Sequence, residues 1–163
     1  AGGSIAPEIS VAVLDIQTRK IYTDVLVNPF TIDDRLSLGY ELQFVAGDPA
    51  YVESMLLEIL SQIPSEFVLG QNYPNPFNPY TTISYDIKEW SIVCLTIFDL
   101  LGRKIIEFEK RLKAPGRYTT QWYSKNDLGL KVPSGIYFYQ LAVQNPITGR
   151  NLFTKTEKMT LLK

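Results

Sequence analysis

The stretch Gln71-Asn72-Tyr73-Pro74-Asn75-Pro76-Phe77-Asn78-Pro79 divides the sequence into two differently patterned parts. Three prolines at this spacing exclude a helix, because proline lacks a backbone N–H and pushes the preceding residue toward extended geometry. Asn75 and Asn78 can close turns through their side-chain oxygens. The pattern leaves two interpretations open, a stiff linker between two domains or a recognition motif.

Downstream of this stretch, hydrophobic residues recur with the two-residue period of β-strands. The alternating faces are formed by Ile83, Tyr85 and Ile87, by Val93, Leu95 and Ile97, and by Tyr118, Thr120 and Trp122. Turn signals separate them at Asp99-Leu100-Leu101-Gly102, Asn126-Asp127-Leu128-Gly129 and Pro133-Ser134-Gly135. We predict structural roles for Gly102, Gly129 and Gly135 in these turns and for Trp122 as an anchor of the core. About seven strands with turns at this frequency indicate an immunoglobulin-like antiparallel β-sandwich.

Upstream of the stretch, the pattern predicts a smaller β-rich region. Residues 9–13, 21–27 and 36–44 alternate in hydrophobicity, the last of them with one clearly polar face. Residues 50–63 fit a helical stripe preceded by the capping signal Asp48-Pro49, although Met55, Leu57 and Ile59 also fit one face of a strand. The predicted fold is therefore all-β with one candidate helix. Its parts are a β-rich region at 1–65, a connector at 66–80 and a sandwich at 81–163.

The composition narrows the functions that the chain can have. Its 163 residues include 16 basic and 17 acidic side chains, no histidine and one cysteine. A net charge of −1 argues against nucleic acid and anionic membranes as partners, because both require a concentrated positive field. Histidine, the usual proton shuttle and imidazole ligand, is missing, and no apolar run approaches the ~18–20 residues that span a bilayer. We predict a non-enzymatic protein with no cofactor, no metal site and no membrane span.

Four candidate chemical sites have simpler interpretations. Cys94 lies in an apolar run and is predicted to be a buried, inert thiol. Asp33-Asp34 with Asp24 could hold calcium, but they lack an alternating-oxygen loop and are predicted to form a solvated turn. Glu107 and Glu109 could act as the paired carboxylates of a glycosidase, but the alternating hydrophobicity predicts that they lie on the solvent-exposed face of a strand.

The fourth candidate is a sugar-binding platform formed by three tyrosines. Tyr118, Tyr137 and Tyr139 could stack on sugar rings. The alternation of the strand that carries Tyr137 and Tyr139 instead favours packing of these rings in the core, with their hydroxyls at the rim. We therefore predict core positions for these two side chains.

Four motifs occur in an order that resembles a known family. They are Phe67-Val68-Leu69-Gly70 continuing into the 71–79 stretch and Thr81-Thr82-Ile83, then Phe98-Asp99-Leu100-Leu101-Gly102-Arg103, Ser134-Gly135-Ile136-Tyr137-Phe138-Tyr139 and Lys158-Met159-Thr160-Leu161-Leu162-Lys163. Together, residues 66–163 resemble the type A C-terminal sorting domain of cargo proteins of the type IX (Por) secretion system. They are also similar to the immunoglobulin-like domain of flagellar hook-capping proteins.

The resemblance implies how the protein is exported. It implies passage across the outer membrane of a Gram-negative, Bacteroidetes-type bacterium, to the cell surface or beyond, with the secretion machinery as partner. The residues implied for sorting are Asn72, Tyr73, Pro74, Asn75, Pro76, Phe77, Asn78, Pro79, Lys158, Met159, Leu161 and Lys163. We expect the secretion machinery to recognise an exposed terminal edge strand, in which Lys158 and Lys163 bracket apolar residues.

The sequence departs from the family pattern at the two residues that follow Trp122. The family usually carries an acidic residue and a glycine there, where this sequence has Trp122-Tyr123-Ser124. The departure affects the expected turn geometry but not the expected fold.

The sequence therefore predicts a non-catalytic, secreted, structural protein of the cell surface. Low net charge, many tyrosines and open sheet edges favour self-association, so we expect a homopolymer such as an extracellular filament or surface layer. Two alternatives stay open. One is a carbohydrate-binding or adhesion module that recognises a surface glycan, and the other is a C-terminal fragment of a larger secreted hydrolase.

Overall fold

The computed structural model describes residues 9–16, 18–23, 25–27 and 41–162. The chain forms two compact units that divide between Ile63 and Pro64. The first unit contains a small sheet and one helix, and the second contains a β-sandwich. We describe each unit separately.

The first unit is built on an antiparallel sheet with the strand order β2-β1-β3. The strands are β1 (Ser10–Asp15), β2 (Lys20–Tyr22) and β3 (Leu42–Gly47). Ala12 and Leu14 of β1 and Val45 of β3 form the sheet side of a buried apolar cluster. The strand predicted over 36–44 lies partly outside the described residues, and its described part begins at β3.

The ambiguous segment of the first unit is a helix, α1 (Pro49–Gln62). The Asp48 carboxylate accepts a hydrogen bond from the backbone N–H of Tyr51 at 3.0 Å, which is the N-cap geometry that the sequence signal predicts. Val52 and Leu56 are buried against the sheet. Ile63 is extended, as the residue before a proline should be. In the described part of the chain, α1 included, no helix is long and apolar enough to cross a membrane.

The second unit is a sandwich of seven strands in two antiparallel sheets, which confirms the predicted fold class. One sheet has the order β10-β9-β6-β7 and the other has the order β4-β5-β8. The strands are β4 (Val68–Leu69), β5 (Thr81–Ile87), β6 (Ser91–Asp99), β7 (Lys104–Lys113), β8 (Gly116–Trp122), β9 (Gly135–Gln144) and β10 (Asn151–Leu161).

The core of the sandwich collects the inward-facing residues of both sheets. Ile83, Tyr85 and Ile87 of β5 are buried against alternate residues of β6 and β9, as the two-residue period predicts. Trp122 is 1% exposed and lies at the centre, with its ring centroid 5.2 Å from that of Tyr137 in an edge-on arrangement. Burying these faces removes apolar surface from water and supplies most of the stabilisation.

Two tyrosine hydroxyls fix the starts of their strands to the preceding loops. Tyr137 donates a hydrogen bond to the carbonyl oxygen of Pro133 at 2.7 Å, and Tyr118 donates one to that of Ala114 at 2.8 Å. A tyrosine bonded to the backbone a few residues upstream is a recurrent feature of immunoglobulin-like sandwiches.

The turn between β6 and β7 is organised by Asp99. Its carboxylate accepts hydrogen bonds from the backbone N–H groups of Leu101 and Arg103, both at 2.9 Å, and from the Arg103 guanidinium at 2.6 Å. Desolvation alone would raise the pKa of Asp99, but these hydrogen bonds more than offset it and hold the pKa below its ordinary value. Gly102 has a φ of 75°, which explains the glycine predicted at this turn.

Candidate functional site: the asparagine–proline segment and the edge of β10

Residues 71–79, which we call the asparagine–proline segment, pack on the sandwich. Two of its residues, Asn72 and Phe77, are buried, and the rest are exposed. Tyr73 exchanges two backbone hydrogen bonds of 2.9 Å with Thr82, which continues the edge of the β4-β5-β8 sheet. The interpretation of this stretch as a linker standing between two domains is therefore wrong, because the segment is part of the second unit.

The buried Asn72 is held by a small hydrogen-bond network. Its backbone N–H donates to the Tyr139 hydroxyl at 2.9 Å, and that hydroxyl donates to the carbonyl of Gly70 at 2.9 Å. The Asn72 amide group donates to Thr81 and to the carbonyl of Pro74. Burial raises the pKa of Tyr139 to about 12; the hydrogen bond from Asn72 opposes the shift and the charge of Glu157 adds to it. The neutral hydroxyl therefore remains both donor and acceptor at physiological pH.

The segment also pairs with the outer edge of β10. The backbone N–H of Phe77 donates to the carbonyl of Thr160 at 3.0 Å, and the N–H of Leu162 donates to the carbonyl of Phe77 at 2.9 Å. The Asn75 side chain accepts a hydrogen bond from the N–H of Thr160 at 3.0 Å and donates one to the carbonyl of Lys158 at 3.5 Å. The first and last of the sequence motifs thus form one structural element.

Phe77 anchors this pairing in the core. Its side chain is 2% exposed, and its ring centroid lies 5.6 Å from that of Trp122. Met159 and Leu161 of β10 are buried in the same core cluster. The segment and β10 are therefore held by shared apolar packing as well as by backbone hydrogen bonds.

The expectation of a wholly exposed terminal edge strand needs correction. The edge from Lys158 to Leu162 is occupied by the asparagine–proline segment, because the alternating outward backbone groups of β10 bond to Asn75 and Phe77 there. Only Lys158 of the two predicted lysines can be placed; its side chain is exposed. Lys163 lies outside the described residues.

A polar cluster continues along β10 beyond the segment. The ammonium group of Lys155 donates to the carbonyl of Leu69 at 3.1 Å and lies 2.9 Å from the carboxylate of Glu157. The same carboxyl group accepts a hydrogen bond from the Gln71 side chain at 2.5 Å. These contacts tie β10 to β4 across the two sheets of the sandwich.

The structure places the candidate tyrosine, cysteine and glutamate sites as follows. Tyr137 and Tyr139 are buried, as predicted, so they cannot form a sugar platform with Tyr118. Cys94 is only half-buried, because its side chain lies on the outer side of β6, opposite the core residues Val93 and Leu95. Glu107 is exposed and lies 3.6 Å from the ammonium group of Lys104. The side chain of Glu109 and the aspartates at 24, 33 and 34 lie outside the described residues.

At the departure Trp122-Tyr123-Ser124, the backbone of Ser124 adopts the left-handed conformation. Ser124 has a φ of 55°, a conformation in which glycine is usual, and its side chain is buried. Its hydroxyl donates a hydrogen bond to the carbonyl of Pro79. The hydroxyl therefore connects β8 to the end of the asparagine–proline segment.

Replacing Ser124 by alanine should lower the free energy of unfolding by about 1–3 kcal/mol, because the hydrogen bond is lost while the left-handed backbone remains. Ser124→Gly should cost less, since glycine adopts a positive φ without steric penalty. Denaturant unfolding of both variants measures the difference. A Ser124→Gly protein less stable than Ser124→Ala would contradict this account of the turn.

These features define a class of protein: an immunoglobulin-like β-sandwich module in which an asparagine–proline segment holds the edge of the last strand. The family model described as secretion system C-terminal sorting domain matches residues 71–155, just over half of the chain. The chain belongs to this family, which confirms the resemblance to type IX sorting domains. A domain of this family is the mark of a secreted cargo, and it implies secretion to the surface or surroundings of a Bacteroidetes cell and interaction with the type IX machinery.

The solved structures to which the chain is similar have low sequence identity to it. Dimeric latent PorU from Porphyromonas gingivalis matches 76% of this chain with a TM-score of 0.50 and 16% identity. PorZ, an essential surface component of the type IX secretion system of the same organism, matches 57% with a TM-score of 0.36 and 22% identity. The chain spans 11% of the length of each of these two proteins. No curated protein matches the sequence.

Proposed function

We propose that this protein is a non-catalytic structural cargo of the cell surface and that the exposed part of the β10 edge is the element read during export. The observation that carries the proposal is the incomplete cover of this edge. The hydrogen bonds that the asparagine–proline segment makes to the backbone of β10 end at Lys158, and Gln71 bonds to the side chain of Glu157. By the alternation of an antiparallel strand, the backbone groups of Thr154 and Thr156 also point away from β9.

The uncovered stretch has the chemistry that strand addition requires. The side chains of Thr154, Thr156 and Lys158 are exposed, so an incoming strand would meet no bulky apolar group on this face. The opposite edge of the same sheet, β7, carries Lys104, Lys110 and other charged side chains that discourage pairing. The asparagine–proline segment fixes where the uncovered stretch begins.

Thr156→Pro should abolish export while leaving the fold in place. Proline removes the outward N–H of residue 156, which does not take part in the β9 ladder, and therefore blocks an added strand. Thr156→Ala is the matched control and should be exported normally. Secretion is measured by surface protease sensitivity and by the amount in the medium, in a type IX-competent strain and in a strain that lacks the system.

Thermal unfolding of the purified variants shows whether the fold is retained. If Thr156→Pro does not fold, Lys158→Glu tests the same stretch, with Lys110→Glu on the opposite edge of the sheet as its control. Export of a folded Thr156→Pro protein at the normal level would contradict the proposal. So would secretion of the unaltered protein by the strain that lacks the type IX system.

The proposal extends to the role of the protein after export. An open edge can pair with another copy of the chain, and a head-to-tail contact of this kind generates a filament. The low net charge permits close association of copies. Light scattering at increasing concentration and electron micrographs of the purified chain should show ordered polymers, and Thr156→Pro should prevent them. A chain that stays monomeric at high concentration would contradict the structural role.

A further inference from the structure

Three tyrosines lie on the outer surface of the β4-β5-β8 sheet. Thr82 pairs with Tyr73 on one side and with Gln121 on the other, so the three side chains share one face. Thr81 and Ile83 are buried, which places Thr82 and its partners on the outside. The rings of Tyr80 and Tyr123 lie beside this row. We call Tyr73, Tyr80, Thr82, Gln121 and Tyr123 the tyrosine face.

All three rings are exposed, and those of Tyr80 and Tyr123 are held by their neighbours. Tyr73 is 81% exposed, Tyr80 46% and Tyr123 53%. The ring centroids of Tyr80 and Tyr123 are 5.7 Å apart, with an angle of 35° between the ring planes. The Tyr123 hydroxyl donates a hydrogen bond to the side-chain carbonyl of Gln121 at 2.6 Å. Tyr80 and Tyr123 therefore form a preformed aromatic pair, and Tyr73 lies on the same face of the sheet.

In the sheet row next to the rings, the hydrogen-bonding side chains are uncharged. Ser84 and Thr119 form the next row of the sheet, and both side chains are exposed. The nearest charged row is Asp86 with Arg117, whose side chains lie 3.9 Å apart and compensate each other. A ligand matched to this surface has apolar faces for the rings, many hydroxyl groups for the amide and hydroxyl side chains, and no charge.

We propose that the tyrosine face binds a neutral polysaccharide. A sugar ring presents C–H groups of partial positive charge to the negative face of an aromatic ring, while its hydroxyls exchange hydrogen bonds with Gln121, Thr82 and Thr119. The flat, open sheet surface suits a chain of sugars lying across it. This site is on the sheet opposite to β10, so it is independent of the export and assembly role proposed above.

The test is binding of the full-length protein to neutral polysaccharides. Dextran, yeast mannan and a soluble β-glucan are the probes, acidic alginate is the charged comparison, and affinity electrophoresis followed by calorimetry is the measurement. We expect binding to at least one neutral polymer. Tyr80→Ala/Tyr123→Ala should weaken it by about tenfold or more, because both rings on which the sugars stack are removed.

Two control proteins separate stacking from other causes. Tyr51→Ala removes a similarly exposed tyrosine from α1 in the first unit and should leave binding unchanged. Tyr80→Phe/Tyr123→Phe keeps the rings and should retain most of the affinity. Unfolding measurements should show the same stability for all variants, because the altered side chains are exposed.

Four results would overturn the proposal. Three of them are no binding to any of the neutral polymers, equal binding to alginate, and neutral-polymer binding that survives Tyr80→Ala/Tyr123→Ala. Self-association that is lost in the same double variant would instead assign the face to a protein contact and would also overturn it. None of these outcomes depends on Thr156→Pro, so failure of the glycan site and failure of the export proposal are distinguishable.

Discussion

Replacing Trp122 by alanine is expected to lower the free energy of unfolding of the sandwich by about 3–5 kcal/mol. The indole is almost completely buried and contacts the rings of Phe77 and Tyr137. Its N–H also donates a hydrogen bond to the carbonyl of Lys125 at 2.8 Å. Alanine would leave a large cavity between the two sheets and an unpaired carbonyl at its edge. Denaturant unfolding followed by far-ultraviolet circular dichroism measures the loss.

Tyr123→Ala is the natural control for this experiment. Tyr123 is the next residue in the chain and is also aromatic, but its ring lies on the outer surface. Its removal should change the stability by no more than about 0.5 kcal/mol. If Trp122→Ala and Tyr123→Ala unfold at the same denaturant concentration, Trp122 is not the anchor of the core.

Phe77→Ala is expected to have an effect of similar size and an additional, local one. Loss of a buried phenylalanine should cost about 3–5 kcal/mol. Because Phe77 is also the residue whose backbone pairs with Thr160 and Leu162, its truncation should loosen the segment from β10. Hydrogen exchange monitored by nuclear magnetic resonance should show faster exchange at the N–H of Leu162 than in the unaltered protein.

Asn78→Ala provides the comparison within the same segment. Asn78 is exposed and next to Phe77, so its replacement should leave both the stability and the exchange rate at Leu162 nearly unchanged. Unchanged protection of Leu162 in Phe77→Ala would show that backbone pairing holds the segment without the phenylalanine anchor, contrary to the arrangement described here.

The sandwich could be predicted because its evidence is local. In Ile83-Ser84-Tyr85-Asp86-Ile87, the alternation places the apolar residues on one face of a single strand. That face is the one buried in the core. The turn at 99–102 was equally readable, because aspartate and glycine at these positions fit a tight turn. The helix α1 could not be separated from a strand by hydrophobicity alone, and the Asp48 cap decides between them.

The relation between the asparagine–proline segment and β10 could not be predicted in the same way. Asn75 and Lys158 are 83 residues apart in the sequence, and nothing in the local pattern of either indicates their contact. The proline spacing excluded a helix, but a linker and a docked strand-like segment satisfy that restriction equally well. The family resemblance grouped the two motifs without indicating that they touch.

The tyrosines illustrate a second limit of sequence reasoning. The sequence offers Tyr118, Tyr137 and Tyr139 as candidates for sugar binding, and the alternation of the strand that carries Tyr137 and Tyr139 favours the core for these two, where they lie. Tyr73, Tyr80 and Tyr123 are brought to one face of the sheet only by the register of β5 with its neighbours. The register across strands is set by long-range packing, which no short window of sequence contains.

The contact between Phe77 and Thr160 has a consequence for the order of events during folding. It closes a loop of more than eighty residues, so loop entropy delays it until most other contacts can form. Before β10 has been synthesised, Phe77 has no backbone partner at this position. The element that we propose as the export signal is therefore completed last, and a nascent chain that stops short of β10 lacks it.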